Sequence, residues 1–342
     1  MPPSSPQRNR SRPPGGRAAV PAVRLTVVVA AGSPAARLTD DAVECALARW
    51  GVSRGTVLDR RSPFPERSRL AADSPSAAAC ALRELKQHTA SARRLAADCG
   101  QRDLLVLPGD DDLIPPEWAE TVIRIPPCGS AGSFRADVGS VARELGRSRN
   151  DVFRELTSTD ALSFTRLLRA ERAVLVEGRT DRAVFEVLIR RFALPGIAVV
   201  AAHSKVRMAA LNLLATRLGV RTYVVFDGDG GPIPTGPAMA HRVARTRRIQ
   251  TENLLRGLAP QEAGWEFGGP STAGSRWCAF SADLEAQLSA WPSFMAALGA
   301  LGEELAAKNH RALRTAAVRA ELEDMPPALC RLCTALAGMV ED

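Results

Sequence analysis

The sequence predicts an α/β fold built on parallel sheet. Short apolar runs rich in Val and Ile alternate with longer segments of helical period. Gly, Pro and Asp punctuate the joins. Residues 174–226 repeat strand, helix, strand, helix, strand, and such a β-α-β-α-β run closes into a Rossmann-like parallel sheet through right-handed crossovers.

Residues 1–22 are rich in Pro, Arg, Ser and Gly and are expected to form a disordered basic tail. Residues 23–135 read as an N-terminal α/β domain of atypical or degenerate kind. "LTVVVAA" (25–31) is its first strand, too short in its apolar run to be a membrane span. "DDAVECALARW" (40–50) is a helix capped by Thr39 or Asp40, and "GTVLDR" is a short strand. Residues 74–100 form a long Ala-rich helix ending at Gly100. "DLLVLPGDDD" (103–112) is a strand running into an acidic turn, where Asp110, Asp111 and Asp112 either bind a metal or simply solvate the turn. "ETVIRIPP" (120–127) is a strand stopped by two prolines.

Residues 136–170 read as a helical connector carrying Arg143, Arg147 and Arg149. Beyond it, Val174–Val176 is a strand and Asp181–Phe192 a helix with Val184, Phe185, Leu188, Ile189 and Phe192 on one face. Ile197–Val200 is a strand, Lys205–Leu218 a helix stopped at Gly219, and Thr222–Phe226 a third strand. Residues 171–300 form the second domain, and 301–342 are C-terminal helices.

Composition narrows the function. Among 342 residues, 45 Lys and Arg face 37 Asp and Glu, a net charge of +8. Only Lys86, Lys205 and Lys308 are lysines, leaving 42 arginines, and part of that bias reflects base composition rather than function. The excess still favours an acidic partner. Seven cysteines without a disulfide pattern point to a reducing cytoplasm, and the lone Cys330-x-x-Cys333 lacks the second pair a structural zinc needs. No membrane span is expected. There is no G-x-x-x-x-G-K-[ST] and no Gly-Lys pair, so no ATP site is expected.

The chemistry lies at the strand ends of the second domain. Glu177 follows the first strand of the run, and Asp227-Gly228-Asp229 follows the third. In a parallel sheet these meet at one edge, where sites form. Clustered carboxylates repel and are costly to desolvate, and a hard divalent cation relieves both. Gly228 would let both aspartates turn to one centre. Asp181 serves either as a ligand or as a helix-start acid beside Thr180 as cap. No routine structural job accounts for Glu177 at a strand end.

"VLVEGRTD", the β-α-β spacer and "VVFDGD" resemble the Toprim domain shared by topoisomerases, DnaG-type primases, RecR proteins and OLD-family (overcoming lysogenization defect) nucleases. "VEGRTD" is similar to the form found in OLD nucleases. "RWCAFSADLEAQL" (276–288) resembles that family's last strand and acidic motif, making Glu285 a further metal ligand or, on the plain reading, a helix first-turn acid. Lys308 matches the family's catalytic lysine, or is a solvated helix lysine. Lys205 occupies the place of a Gly-Gly-Lys turn, with His203 and Ser204 replacing the glycines. OLD proteins carry an ATPase before Toprim; here it is absent or reduced to a relic.

The resemblance implies a divalent-metal-dependent endonuclease acting on DNA in preference to RNA, in phage defence or repair. Glu177 and Lys308 would be catalytic. Glu177, Asp181, Asp227, Asp229 and Glu285 would hold Mg²⁺ or Mn²⁺ in two centres. Arg242, Arg245, Arg247 and Arg248, read as a loop, would contact phosphates together with Lys205, or else form a mobile basic loop with no substrate. A homodimer or a separate ATPase would be the partner. A topoisomerase is excluded because the lone tyrosine, Tyr223, falls in a core strand. The alternatives are a catalytically weak Toprim module that binds nucleic acid or regulates, and an RNA-processing Toprim nuclease.

Overall fold

The computed structural model describes residues 24–30, 40–50, 56–59, 103–107, 113–126, 132–229, 238–258 and 270–341, with helical positions at 87 and 94. The basic tail, the turn at Asp110–Asp112 and most of the expected 74–100 helix lie outside them. No helix among the described residues is long and apolar enough to cross a membrane.

The first sheet holds β1 (Arg24–Ala30), β2 (Thr56–Asp59), β3 (Asp103–Leu107), β4 (Thr121–Ile125) and β5 (Phe134–Asp137) in the order β2-β3-β1-β4-β5. The first four are parallel; β5 returns antiparallel to β4 after the two prolines and runs across the 135/136 junction. Val27 and Val29 of β1 enter one buried cluster, while Val28 joins Val43, Ala46 and Leu47 of α1 (Asp40–Arg49) in another. A strand buried on both faces reads as an unbroken apolar run, which is why "TVVVA" shows no polar alternation.

The stretch expected as one helical connector is three helices: α2 (Val138–Glu144), α3 (Arg149–Thr157) and α4 (Ala161–Arg169). Each is started by a side-chain cap, with Asp137, Ser148 and Asp160 accepting from the N–H groups of Ser140, Asp151 and Ser163. They are more than a connector. Val141, Val152, Leu156, Phe164 and Leu167 are fully buried in the cluster that also takes Val27 from the first sheet and Leu175 from the second. Arg147 is paired with Glu155; Arg143 and Arg149 are exposed.

The second sheet holds β6 (Arg172–Val176), β7 (Ile197–Ala201), β8 (Arg221–Asp227), β9 (Thr272–Ala273) and β10 (Trp277–Phe280) in the order β7-β6-β8-β10-β9, all parallel except β9. The crossovers are α5 (Arg179–Arg191) and α6 (Lys205–Arg217), as the periodicity predicts; α7 (Ala238–Leu258) follows β8. Four helices complete the chain: α8 (Leu284–Ser289), α9 (Pro292–Gly299), α10 (His310–Arg319) and α11 (Pro327–Glu341).

Strict alternation sends Leu175, Val224, Phe226 and Ala279 to the core shared with the first sheet. Val174, Val176, Tyr223, Val225 and Phe280 go to a second core under α5 and the C-terminal helices. Tyr223 is fully buried, and its hydroxyl donates to the Trp277 carbonyl at 2.9 Å.

One buried charge joins the sheets. Arg124 on β4 is 2% exposed. Its guanidinium donates to the carbonyls of Leu168 (3.1 Å) and Ala170 (2.6 Å) at the end of α4, and of Leu218 (3.0 Å) and Gly219 (3.4 Å) at the end of α6. The planar fork suits several divergent acceptors, which a lysine could not reach together. Burial lowers its pKa to about 10 while Glu171 pulls the other way, so it stays charged at neutral pH. Gly219 sits at φ +69°, and a Cβ there would lie 2.6 Å from the Phe134 ring, so both the backbone and the packing require glycine. Arg124→Met keeps most of the volume but strips four helix-end carbonyls of their donor. It is expected to cost about 3 kcal/mol, read as a lowered urea midpoint with unchanged slope.

Candidate metal centre

Because β6 and β8 are parallel neighbours, their carboxyl ends share one edge. Glu177, just past β6, accepts the backbone N–H of Asp227 through Oε1 at 2.9 Å. The strand-end glutamate therefore has a structural job that the sequence did not reveal: it satisfies a donor at the end of the neighbouring strand.

The start of α5 differs from expectation. Its N-cap is Gly178, not Thr180, and Asp181 in the first turn reaches back to accept the Gly178 N–H at 2.7 Å. Thr180 donates its hydroxyl to Asp181 at 3.3 Å. Gly178 has an ordinary extended φ of −127°, and a Cβ there would meet nothing nearer than 3.5 Å, so the chain exit does not depend on glycine.

The two aspartates after β8 part company. Asp227 Oδ1 accepts the N–H of Leu284, the first residue of α8, at 3.1 Å. Asp229 takes the left-handed conformation (φ 52°), and its carboxylate goes to Lys205 and to the Thr251 hydroxyl of α7 at 3.1 Å. Lys205, expected to touch nucleic acid, is instead 4% exposed: its Nζ binds Asp229 and lies 3.4 Å from Glu177 Oε1. It is the first residue of α6, whose helical face turns it inward to the strand ends.

His203 occupies the left-handed position (φ 64°) that a glycine fills in the turn resembled. Its N–H donates to the Glu177 carbonyl at 2.7 Å, and its Nε2 lies 3.4 Å from Asp160. Ser204 is the N-cap of α6. Burial opposes ionisation of Asp160, yet His203, Ser163 and Arg182 together hold its carboxyl well below the usual carboxylate range. Sequence reasoning missed Asp160 and Thr251 because both reach the site from other elements and carry no local motif.

Glu285, in the first turn of α8, is bound by Lys308. Lys308 is not a helix residue. It closes a 3₁₀ turn (Leu305–Ala307) in the left-handed conformation, φ 49°, and its ammonium turns to the acids. Glu285 raises its pKa, with Asp181 and Asp227 adding to the effect.

The acids press on one another. Burial, then Glu177, Asp181 and Glu285, push Asp227 up to about 8, with Lys205 opposing. Burial raises Glu177 most, against Lys205 and the Asp227 N–H. Asp181 is raised by burial and Glu285, against the Gly178 N–H, Thr180 and Lys308. Among the described residues no three His, Cys, Asp or Glu side chains are grouped so as to hold a metal ion between them. The donors are nonetheless all oxygen, and burial first, then the acidic neighbours, raise Asp227 well above the usual carboxylate range, the condition that a hard cation reverses. The set fits an ion such as Mg²⁺, held by one or two carboxylates and its own waters.

Arg242, Arg245, Arg247 and Arg248 lie on α7, a helix rather than the expected loop, and all four are exposed. Arg248 is 3.4 Å from Glu252. Thr251 anchors the same helix at Asp229, so the arginines lie about 5–14 Å from that anchor along the axis.

Part of the second sheet is similar to a known family. Residues 168–229 match the family model "Overcoming lysogenization defect protein-like, TOPRIM domain". These residues are a Toprim domain resembling the C-terminal part of OLD proteins, and Glu285 and Lys308 lie beyond the matched stretch. The C-terminal region of the Burkholderia pseudomallei OLD protein is a similar solved structure, at 18% identity and a TM-score of 0.35, covering 50% of this chain and 98% of that one. No curated protein matches the chain.

Asp227→Asn keeps the acceptor for Leu284 and removes the charge conflict. In the unfolded chain this carboxyl ionises near 3.8, in the fold near 8. The folded state holds the proton more tightly, so stability is fullest below 3.8 and is lost as pH rises towards 8. In EDTA the variant is expected to gain nothing at pH 4 and about 2 kcal/mol or more at pH 8, measured by denaturant titration across that range.

Proposed function

We propose that the chain is a divalent-metal-dependent nuclease that hydrolyses phosphodiester bonds, in DNA by preference. The observation that carries this reading is the convergence of Glu177, Asp181, Asp227 and Glu285, from three separate segments, on one sheet edge with Lys308 beside them. Such a cluster is costly in a metal-free protein, beyond what the backbone donors satisfied by each acid require.

Asp227, Asp181 and Glu285 would hold the ion, Mg²⁺ or Mn²⁺. When bound, it would supply a Lewis acid that withdraws charge from the phosphate oxygens. Glu177, raised by burial, is suited to take a proton from the attacking water. The water oxygen then bonds to phosphorus, the P–O ester bond breaks, and the leaving oxygen takes a proton from solvent. Lys308, with its side chain 61% exposed, can turn from Glu285 to the phosphate and offset its developing charge. The exposed arginines of α7 would hold the backbone on either side.

A second reading, a catalytically weak Toprim module that binds nucleic acid or regulates, draws on a specific observation. Lysines already bind two of the carboxylates, and among the described residues no three His, Cys, Asp or Glu side chains are grouped so as to hold a metal ion. Cleavage assays separate the two. Purified protein is incubated with supercoiled plasmid, linear DNA and structured RNA in Mg²⁺, Mn²⁺ or EDTA. Metal-dependent nicking of DNA, lowered roughly 100-fold or more in both Glu177→Ala and Asp227→Ala, is the expected result. Binding without cleavage under every metal would sink the nuclease and leave the binding module.

The arginines have their own test. Arg245→Ala with Arg247→Ala is expected to weaken DNA binding evenly across sequences. The slope of log affinity against log salt should fall by about 1 for each phosphate that is no longer neutralised, measured by fluorescence anisotropy. An unchanged slope would remove α7 from the interface.

A further inference from the structure

Lys205 is the unusual member of the site. Its ammonium is enclosed between carboxylates that follow two different strands: Asp229, which it binds, and Glu177, 3.4 Å away. Of two divalent ions straddling a phosphate, one held by these two acids would lie beside that ammonium. A second ion there would meet a full positive charge at close range in a buried setting, where screening is weak. Lys205 has little room to withdraw. It is 4% exposed, and its backbone is pinned at the start of α6 by the Ser204 cap, which accepts the Arg207 N–H at 3.2 Å.

The other end of the site is different. Asp181 and Glu285 repel one another there, with Asp227 between them and Glu177, and Lys308, which binds Glu285, is well exposed and can leave. Five carboxylates face two lysines across the whole cluster, leaving three negative charges when all are ionised. One divalent ion leaves one negative charge and two leave one positive charge, so the place of Lys205 and not the count decides between them.

We propose that Lys205 stands permanently in the place of a second metal ion, so that the site takes a single divalent cation, on the Asp181–Asp227–Glu285 side. Asp229 then serves to hold the lysine and not the ion. The inference rests on the metal-dependent reading above and replaces the two centres expected from sequence with one ion and one fixed ammonium.

The test is Mn²⁺ binding to the full chain, by calorimetry for the count and by electron paramagnetic resonance for spin coupling. The wild type is expected to bind one uncoupled Mn²⁺. Lys205→Met, neutral and of similar length, is expected to bind two that are coupled. Asp229→Asn is expected to lower Mn²⁺ affinity less than tenfold, and Asp227→Asn by roughly a hundredfold or more; this pair decides the matter even where Lys205→Met does not fold. Two coupled ions on the wild type, a folded Lys205→Met that still takes one, or an Asp229→Asn loss equal to that of Asp227→Asn would overturn the proposal while leaving the nuclease reading intact. No Mn²⁺ on the wild type would overturn both.

Discussion

The hydrogen bond from the Asp227 N–H to the Glu177 carboxylate sets the distance between two strand ends, and the rest of the site is arranged around it. A carboxylate held out of water needs a donor or a cation. Glu177 finds both, in a neighbouring backbone and in Lys205. Asp181 finds the Gly178 N–H, Asp227 the Leu284 N–H, Asp229 a lysine and a hydroxyl, and Glu285 another lysine. Each donor arrives from a different strand, helix or turn. Satisfying the acids is thus the same act as closing the fold around them.

That dependence explains why a half-buried acid such as Asp227 tolerates its position. Its side chain is fixed by α8 and its backbone by Glu177, while burial and the acids around it oppose its charge. The arrangement is rigid in geometry and unsatisfied in charge, a combination common where a site is preorganised for a ligand.

The second sheet was legible because its signals are local. Val174–Val176, the apolar face of α5 and the stop at Gly219 each follow from a few adjacent residues, and the order of acids placed Glu177 and Asp227 at one edge. What escaped was set by contacts distant in sequence. Lys205 reads as a surface cation in an Arg-rich chain, and only its packing between Glu177 and Asp229 shows otherwise. The arginines of α7 read as a loop because four basic residues in eight obscure any apolar face. The glycine of Asp-Gly-Asp drew attention to the turn, yet Asp229 itself is left-handed, and aspartate tolerates that conformation better than most side chains. Residues 138–169 read as a connector because each helix alone is short and polar on one side; their apolar sides are buried by two sheets at once.

That shared burial bears on how such a chain can be rearranged. Arg124 of the first sheet caps the helix ends that flank the second, and Leu175, Val224 and Phe226 have the first sheet's Val27 and Val122 as members of their own core. The two halves are therefore not cassettes that recombination could trade freely. A fragment cut at residue 171 would carry the five clustered acids but lose Asp160, and it would strip from Leu175, Val224 and Phe226 the part of their core that α2–α4 and the first sheet supply. Grafting this centre onto another carrier protein would mean moving β4, β5 and α2–α4 with it.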